Sequence, residues 1–396
     1  MPNFIERLVL KRFRSFPSDN VSFDSPVFLV GRNGAGKSNF VDVFAFLSEA
    51  MSSPLQAVFD KRGGISAVRN RSSSRSYPPN FGLRVDLGSL NGVIQRSQYA
   101  FEIRALPNYG FEVIHEQCEV TDIQGKHYWF DRAKQFRTNV PGLKPAVDPA
   151  SLCLPVVGGE ERFAPIVRAL GKMRVYSIEP ARLREMQDPD GGATLRADGG
   201  NAASVLQELQ RGNQEAFTRI CEILEKIAPC ISSVRSKKHG NKLSLEFTQN
   251  WGQRAGLKFE AYNMSDGTLR ALGLLMAVFQ QPPPSVLVIE EPEQTIHPGA
   301  LDTVLELIHL ASSRMQVIVT THSPELLDAK WIEDKHLRIA TWHEGASYIL
   351  PLSEASRETL KDHLMGAGEL LRAGILESSP LFEHDVAQGR LFEDLA

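Results

Sequence analysis

Gly31-Arg32-Asn33-Gly34-Ala35-Gly36-Lys37-Ser38 matches the pattern G-x-x-x-x-G-K-[ST] at every fixed position, and no other feature restricts the folding of this chain so tightly. The pattern works only where a strand ends in a glycine-rich turn and a helix begins inside that turn. Both flanks comply. Val27 to Val30 is a short apolar strand, and Phe40, Val43, Phe44 and Leu47 recur at helical spacing between Lys37 and about Glu49. The glycines let backbone N–H groups converge on a phosphate. Lys37 adds a point charge for the β- and γ-phosphates, Ser38 a hydroxyl for Mg²⁺, and the start of the helix its positive dipole end. A chance glycine-rich turn would not carry both flanks.

Far downstream, Val286-Leu287-Val288-Ile289 runs straight into Glu290-Glu291-Pro292. Continuous apolarity marks a strand covered by helices on both faces, and ligands bind at the C-terminal ends of such strands. Two solvated glutamates are the bland alternative. Unpaired buried charge is costly, however, and a metal ion with an attacking water would balance it. Glu290 then orients a metal-bound water, and Glu291 polarises the nucleophile. The next apolar strand ends in Thr320-Thr321-His322-Ser323-Pro324, so His322 reaches the same sheet edge as a candidate γ-phosphate sensor.

Between these motifs the rhythm changes. Residues 60–80 read as a loop, and residues 81–132 alternate as an antiparallel meander. Residues 140–160, rich in proline and glycine, read as a linker or exposed loop. A helical stretch follows over 201–228, then strands at 231–236, 242–248 and 256–262. A helix from Ser265 to Phe279 leads to a strand, a helix over 299–312 and a strand at 317–320, a βαβ unit that implies parallel pairing. Residues 354–375 read as helix, and the end of the chain repeats Leu-Phe-Glu, at 381–383 and 391–393. The net charge of −3 announces no nucleic-acid binder. Cys118, Cys153, Cys221 and Cys230 form no metal-ligand spacing and read as reduced, buried filler. No apolar run reaches the ~20 residues of a membrane span, and the charged N-terminus is no signal peptide, so a cytoplasmic protein is expected.

Taken together, these residues resemble the ABC-type head shared by SMC, RecF and OLD-family ATPases. In that resemblance Gly31 to Ser38 is Walker A, with Asn33, Ala35 and Asn39 among the nucleotide contacts, and Glu290 and Glu291 are Walker B. Asn263-Met264-Ser265-Asp266-Gly267-Thr268 stands where the signature motif lies, so Ser265 and Gly267 would touch the γ-phosphate of ATP held by a second subunit. Glu293-Gln294-Thr295-Ile296-His297-Pro298 takes the D-loop position and His322 that of the switch histidine. Arg12 and Arg14, in Lys11-Arg12-Phe13-Arg14-Ser15-Phe16, would reach the adenine and phosphates. Ile178-Glu179-Pro180-Ala181-Arg182-Leu183-Arg184 and Asp198-Gly199-Gly200-Asn201 are similar to segments of the OLD-like and RecF-like proteins. Three departures stand out: the signature is not LSGGQ, Glu290 replaces the usual Asp, and no Q-loop glutamine can be assigned.

The fold class implied is α/β, an ABC-type P-loop ATPase head. It has a mixed sheet, an antiparallel β meander and a helical and β insertion between its two halves. The expected parts are 1–60, the N-terminal half of the head; 61–135, the antiparallel segment; 136–255, the insertion; 256–350, the C-terminal half; and 351–396, a helix and tail. The resemblance implies ATP and Mg²⁺ as cofactors and a homodimer, or a higher oligomer, that sandwiches ATP. Residues 351–396 are too few for the TOPRIM nuclease domain of OLD nucleases, so a separate TOPRIM-like nuclease effector in bacterial antiphage defence is expected. No membrane partner is. The alternative is a RecF-like DNA repair ATPase, with Lys61, Arg62, Arg69, Arg71 and Arg75, or Arg235, Lys237, Lys238 and Lys242, as a nucleic-acid face. A transporter subunit is disfavoured by the signature and by the long interposed β segment.

Overall fold

Alternation over the meander builds a seven-stranded antiparallel sheet in the order β2-β1-β4-β5-β6-β7-β8. Its strands are β1 (Ile5–Phe13), β2 (Phe16–Ser22), β4 (Asn80–Leu87), β5 (Ile94–Ala105), β6 (Phe111–Asp122), β7 (His127–Arg132) and β8 (Phe136–Thr138). The computed structural model describes residues 4–70, 79–90, 92–251, 254–381 and 390–393. The chain forms two compact units. Met1–Met173, Glu333–Leu364 and Ile375–Ala396 make the first, and Arg174–Ile332 with Met365–Gly374 the second.

In the first unit, β3 (Val27–Val30) leads through the glycine loop into α1 (Lys37–Ala50). Leu8, Leu10, Leu83, Tyr99 and Phe101, on one face of the large sheet, are fully or almost fully buried. Phe46 of α1 packs edge-on against Phe13 and Phe81, while Phe40 and Phe44 meet Phe23. The expected apolar stripe on α1 is therefore present, and Phe46 widens it into a second buried face. A short helix, α2 (Leu55–Asp60), precedes the expected loop over 60–80, and another, α3 (Ile65–Val68), interrupts it. Strand β3 pairs in parallel with β15 (Leu337–His343), which pairs antiparallel with β16 (Ala346–Leu350), so this sheet is mixed.

The segment over 140–160 is an exposed loop only in its first half: residues 141–150 are irregular and largely exposed, but the second half is built into the fold. It contains α4 (Cys153–Val156), which precedes α5 (Ala164–Gly171), and Leu152, Cys153, Leu154 and Val157 are buried. The reason is Glu116 of β6, which has no exposed surface and accepts the N–H groups of Cys153 and Leu154, the latter at 2.8 Å. Tyr99 donates its hydroxyl to the same carboxylate at 2.9 Å. Burial raises Glu116 above the ordinary carboxylate value, although these hydrogen bonds pull the other way.

The second unit contains β9 (Arg174–Tyr176), α6 (Pro180–Arg184), α7 (Ala202–Gly212) and α8 (Gln214–Ile227). The helical stretch over 201–228 is thus two helices, broken at Asn213, whose side chain caps α8 by accepting from Ala216 N. Then come β10 (Ile231–His239), β11 (Lys242–Trp251) and β12 (Arg254–Glu260), a three-stranded antiparallel sheet. The unit continues with α9 (Asp266–Phe279), β13 (Val286–Glu290), α10 (Leu301–Ser312) and β14 (Gln316–Thr321). Strands β13 and β14 are parallel, as the βαβ reading required, and β9 adds a third parallel strand to β13. Near the C-terminus, α11 (Glu354–Lys361) belongs to the first unit and α12 (Ala367–Arg372) to the second. Cys118 and Cys153 are buried, but Cys230 is exposed, since it lies just before β10.

Candidate functional site

The glycine loop is already in the shape that a phosphate needs. Gly34 and Gly36 adopt φ of 80° and 101°, conformations that favour glycine, and α1 starts immediately afterwards. Lys37 is 6% exposed and folds back over the loop, donating to Gly31 O at 2.6 Å and Arg32 O at 3.3 Å. A Cβ on Gly34 would meet nothing within 4 Å, so the mouth is open there, and Asn33 and Ser38 are exposed. Ala35 is buried. The floor is tight instead. A Cβ on Gly31 would stand 2.5 Å from Ala340 O of β15, and one on Gly36 would stand 2.2 Å from Ser347 Oγ of β16. The hairpin β15–β16 thus moulds the loop.

Beside α1 lies a cavity of about 320 Å³, lined among others by Ser15, Asn39, Arg69, Asn70 and Trp342. Asn39 Nδ2 donates to Ser15 Oγ at 2.9 Å. Asn70 Nδ2 donates to Arg14 O at 2.7 Å, and Asn70 N to Arg12 O at 2.8 Å. Trp342 offers a half-exposed aromatic face at the tip of the hairpin. Arg12 and Arg14, both at positive φ, are tied down: Arg12 donates to Asn80, and Arg14 Nη2 lies 2.7 Å from Asp42 of α1. Asp42 also receives Arg62 at 2.9 Å. Sequence reasoning missed Trp342, Asn70 and Ser347, because nothing before folding links them to the loop.

In the second unit β13 ends at Glu290, and Glu291 turns sharply away at φ 43°, a strained conformation for glutamate. Its N–H donates to Thr320 O at 3.0 Å, and Gln294 Nε2 donates to Glu291 Oε2. His322 Nδ1 lies 3.5 Å from Glu291 Oε1 and 3.8 Å from Glu293 Oε1. The structure therefore brings Glu291 and His322 together, as the strand ends suggested. Glu293 joins them: Thr321 Oγ1 donates to its Oε1 at 2.7 Å, while its buried Oε2 has no hydrogen-bond partner. Arg270 of α9 donates to Glu291 O at 3.3 Å. Burial lowers its guanidinium below the ordinary arginine value, against the opposing pull of Glu293, Glu291 and Asp266. Arg270 was legible in principle as the sole charge in the apolar run Leu269 to Phe279.

Ser265 caps α9, its Oγ accepting from Thr268 N at 3.2 Å, and both Ser265 and Asp266 are exposed. Gly267 is pressed against the segment after the carboxylates, where a Cβ would stand 2.5 Å from Thr295 O. Arg184 of α6 holds the same turn through Met264 O at 2.8 Å and through Asp266. Among the described residues no group of three or more His, Cys, Asp or Glu could hold a metal by itself. Mg²⁺ commonly takes only one or two protein ligands and completes its shell with phosphate and water, and the exposed Ser38 hydroxyl at the start of α1 suits it as one such donor.

The cations considered as a nucleic-acid face are largely matched locally. Lys61 and Arg62 meet Glu49, Lys237 lies 2.9 Å from Glu246 and 2.6 Å from Glu260, and Lys242 is 2.6 Å from Asp188. Arg235 also pairs with Glu246, and Lys238 is exposed. Arg71 and Arg75 lie outside the described residues.

A family model described as "AAA domain, putative AbiEii toxin, Type IV TA system" matches residues 27–115 and 183–328. Among solved structures, one described as the SmcHead bound to the C-winged helix domain of ScpA is similar with a TM-score of 0.56 and 16% identity. That match covers 90% of this chain and 99% of the other. The Smc head domain with an extended coiled coil bound to the C-terminal domain of ScpA, derived from Pyrococcus furiosus, gives 0.57 and 13%, covering 91% and 99%. No curated protein matches the chain. At these identities the likeness establishes the fold, that of an ABC-type ATPase head. No helix among the described residues is long and apolar enough to cross a membrane.

Proposed function

Since the chain belongs to the family described as AAA domain, putative AbiEii toxin of type IV toxin–antitoxin systems, we propose that it binds ATP with Mg²⁺ and hydrolyses it. The observation that carries this reading is the glycine loop itself, already wound around Lys37 with its glycines in left-handed conformations. Gly31 to Ser38 cradle the phosphates, and Lys37 moves from its carbonyl partners to the β- and γ-phosphates. Ser38 and Glu290 would hold the metal, which would supply neutralisation of the phosphate charge. The cavity of Ser15, Asn39, Asn70 and Trp342 takes the base and ribose, Trp342 by stacking. Asn39 orients the sugar side.

Glu291 polarises the attacking water, and Gln294 and His322 fix its two oxygens in orientation. Arg270 and Glu293 are positioning residues for that carboxylate. Ser265 and Gly267, on an exposed helix start, serve the γ-phosphate of a second subunit, so that ATP closes a homodimer. ATP state then controls a separate effector, a nuclease, in antiphage defence. This last step is analogy at the level of fold and family, supported by the family's link to toxin–antitoxin systems and by solved heads that are bound to a partner domain. A RecF-like role on DNA draws less support, because most of the cations it needs are already paired.

Glu291→Gln tests the reading. Turnover should fall by about a thousandfold or more while Mg²⁺-ATP binding and an ATP-dependent dimer persist. Steady-state phosphate release with mass photometry reads both. Turnover close to wild type would remove Glu291 from the mechanism.

A further inference from the structure

Nothing in the nucleotide reading uses the last described residues of the chain, which lie on the outer, polar face of the seven-stranded sheet. Leu391 is 5% exposed there and fills the space above Gly82, where a Cβ would stand 2.3 Å from its Cδ1. Ala100, opposite both Arg84 and Gln117 in the strand register, is fully buried. Small residues on adjacent strands thus make a pit in an otherwise charged surface. Phe392 stacks on the His115 imidazole with ring centroids 3.6 Å apart, and Asp131 steadies that imidazole at 2.6 Å.

The main chain is read as well. Gln117 Nε2 donates to Glu393 O at 2.9 Å, and Gln117 Oε1 accepts Glu393 N at 3.1 Å. Arg84, aligned by Asp86 at 2.7 Å, donates to Arg390 O at 3.1 Å and to the Glu393 carboxylate at 2.6 Å. Leucine, aromatic ring, carboxylate and peptide group each meet a dedicated complement. That is the pattern of peptide recognition on a sheet, in which pockets give specificity and main-chain bonds give affinity. The segment is held by side-chain pockets and by side-chain bonds to its main chain, and such a short identical element can be exchanged between copies of a chain.

We propose that this face is a binding site for a Leu-Phe-Glu peptide, filled by the chain's own tail and equally able to take the tail of a second copy. The sequence supplies the second ligand. Each tail carries the triplet twice, at 381–383 and 391–393, while Gly82, Arg84, His115 and Gln117 form one such face per chain. Two chains therefore hold more ligands than their own faces need, and exchange of identical elements between protomers is a low-cost route to association. This contact is independent of ATP and goes beyond the nucleotide-closed dimer.

The test uses full-length protein without nucleotide. A tail variant carries Leu381→Ser, Phe382→Ser, Leu391→Ser and Phe392→Ser, and a face variant carries Arg84→Ala and Gln117→Ala. A labelled peptide with the sequence of residues 390–396 should bind the tail variant, whose face is vacant. It should bind the face variant about tenfold more weakly or worse, having lost a charge-assisted bond and a main-chain pair. A peptide with serine in place of Leu391 and Phe392 should not bind at all, a control that needs no altered protein. Tagged tail variant should then retain untagged face variant on a column, while neither retains itself. Equal peptide affinity for both variants would overturn the recognition site, and peptide binding without retention would overturn the exchange with a second copy.

Discussion

Gly36→Ala is the substitution whose consequence can be worked most fully from the structure. Gly36 sits at φ 101° and ψ 10°, and an L-residue held there costs about 1–3 kcal/mol. The new Cβ would also stand 2.2 Å from Ser347 Oγ and 2.7 Å from Ser347 Cβ. Ser347 has no exposed surface, so it has little room to retreat, and such overpacking adds about 1–3 kcal/mol. The cheapest relief is for the loop to lift off β16, which spoils the phosphate cradle and leaves the cores intact. Nucleotide affinity should therefore fall by about a hundredfold, corresponding to about 3 kcal/mol, with little loss of thermal stability. Ser347→Gly in the Gly36→Ala background removes both close contacts but not the backbone strain, and should recover about tenfold of the loss. Its own cost is small, because the Ser347 hydroxyl is buried without a hydrogen-bond partner. Titration calorimetry of the four proteins with Mg²⁺-ATP closes the double-mutant cycle. Affinity of Gly36→Ala within about threefold of wild type, or no recovery with Ser347→Gly, would refute the reasoning.

Two further substitutions separate the remaining roles. Ser265→Arg places a long cation on the exposed start of α9 and should abolish the ATP-dependent dimer and turnover while the monomer still binds ATP; mixing with Lys37→Ala protein can restore at most one composite site. Normal turnover by Ser265→Arg would mean that the site is not shared. Trp342→Ala removes the proposed stacking face and should weaken ATP by about tenfold but leave inorganic triphosphate unchanged, so equal losses for both ligands in a competition assay would remove the base from that cavity.

Much of the site was legible because its chemistry is local in sequence. The glycine loop, α1 and the parallel β13–α10–β14 unit follow from contiguous patterns, and Glu291 and His322 meet because adjacent parallel strands end together. What escaped depends on contacts between distant residues. Strands β15 and β16, which mould the loop through Ala340 and Ser347, carry too short a pattern to announce a strand beside β3. The segment over 140–160 reads as a linker from its prolines and glycines, yet Glu116, some forty residues upstream, anchors its helix start. Arg62 counted as a surface cation in the sequence, but Asp42 and Glu49 draw it inward to 5% side-chain exposure. The tail shows the same limit from the other side. Its repeated triplet is plain in the sequence, whereas the pit at Gly82 that receives Leu391 exists only once β4 and β6 lie in register on β5.

The central claim is that Gly31 to Ser38 bind the phosphates of ATP through Lys37. Titration calorimetry of the purified chain with Mg²⁺-ATP, wild type against Lys37→Ala, tests it most directly. Lys37 is buried over the loop with carbonyl partners at 2.6 and 3.3 Å, so Lys37→Ala removes the cradle's central charge while alanine, a good helix former, keeps the first turn of α1. The account predicts saturable binding by the wild type and a loss of about a hundredfold or more in the variant, with an unchanged melting temperature in the absence of nucleotide. Equal ATP affinity for the two proteins would contradict it.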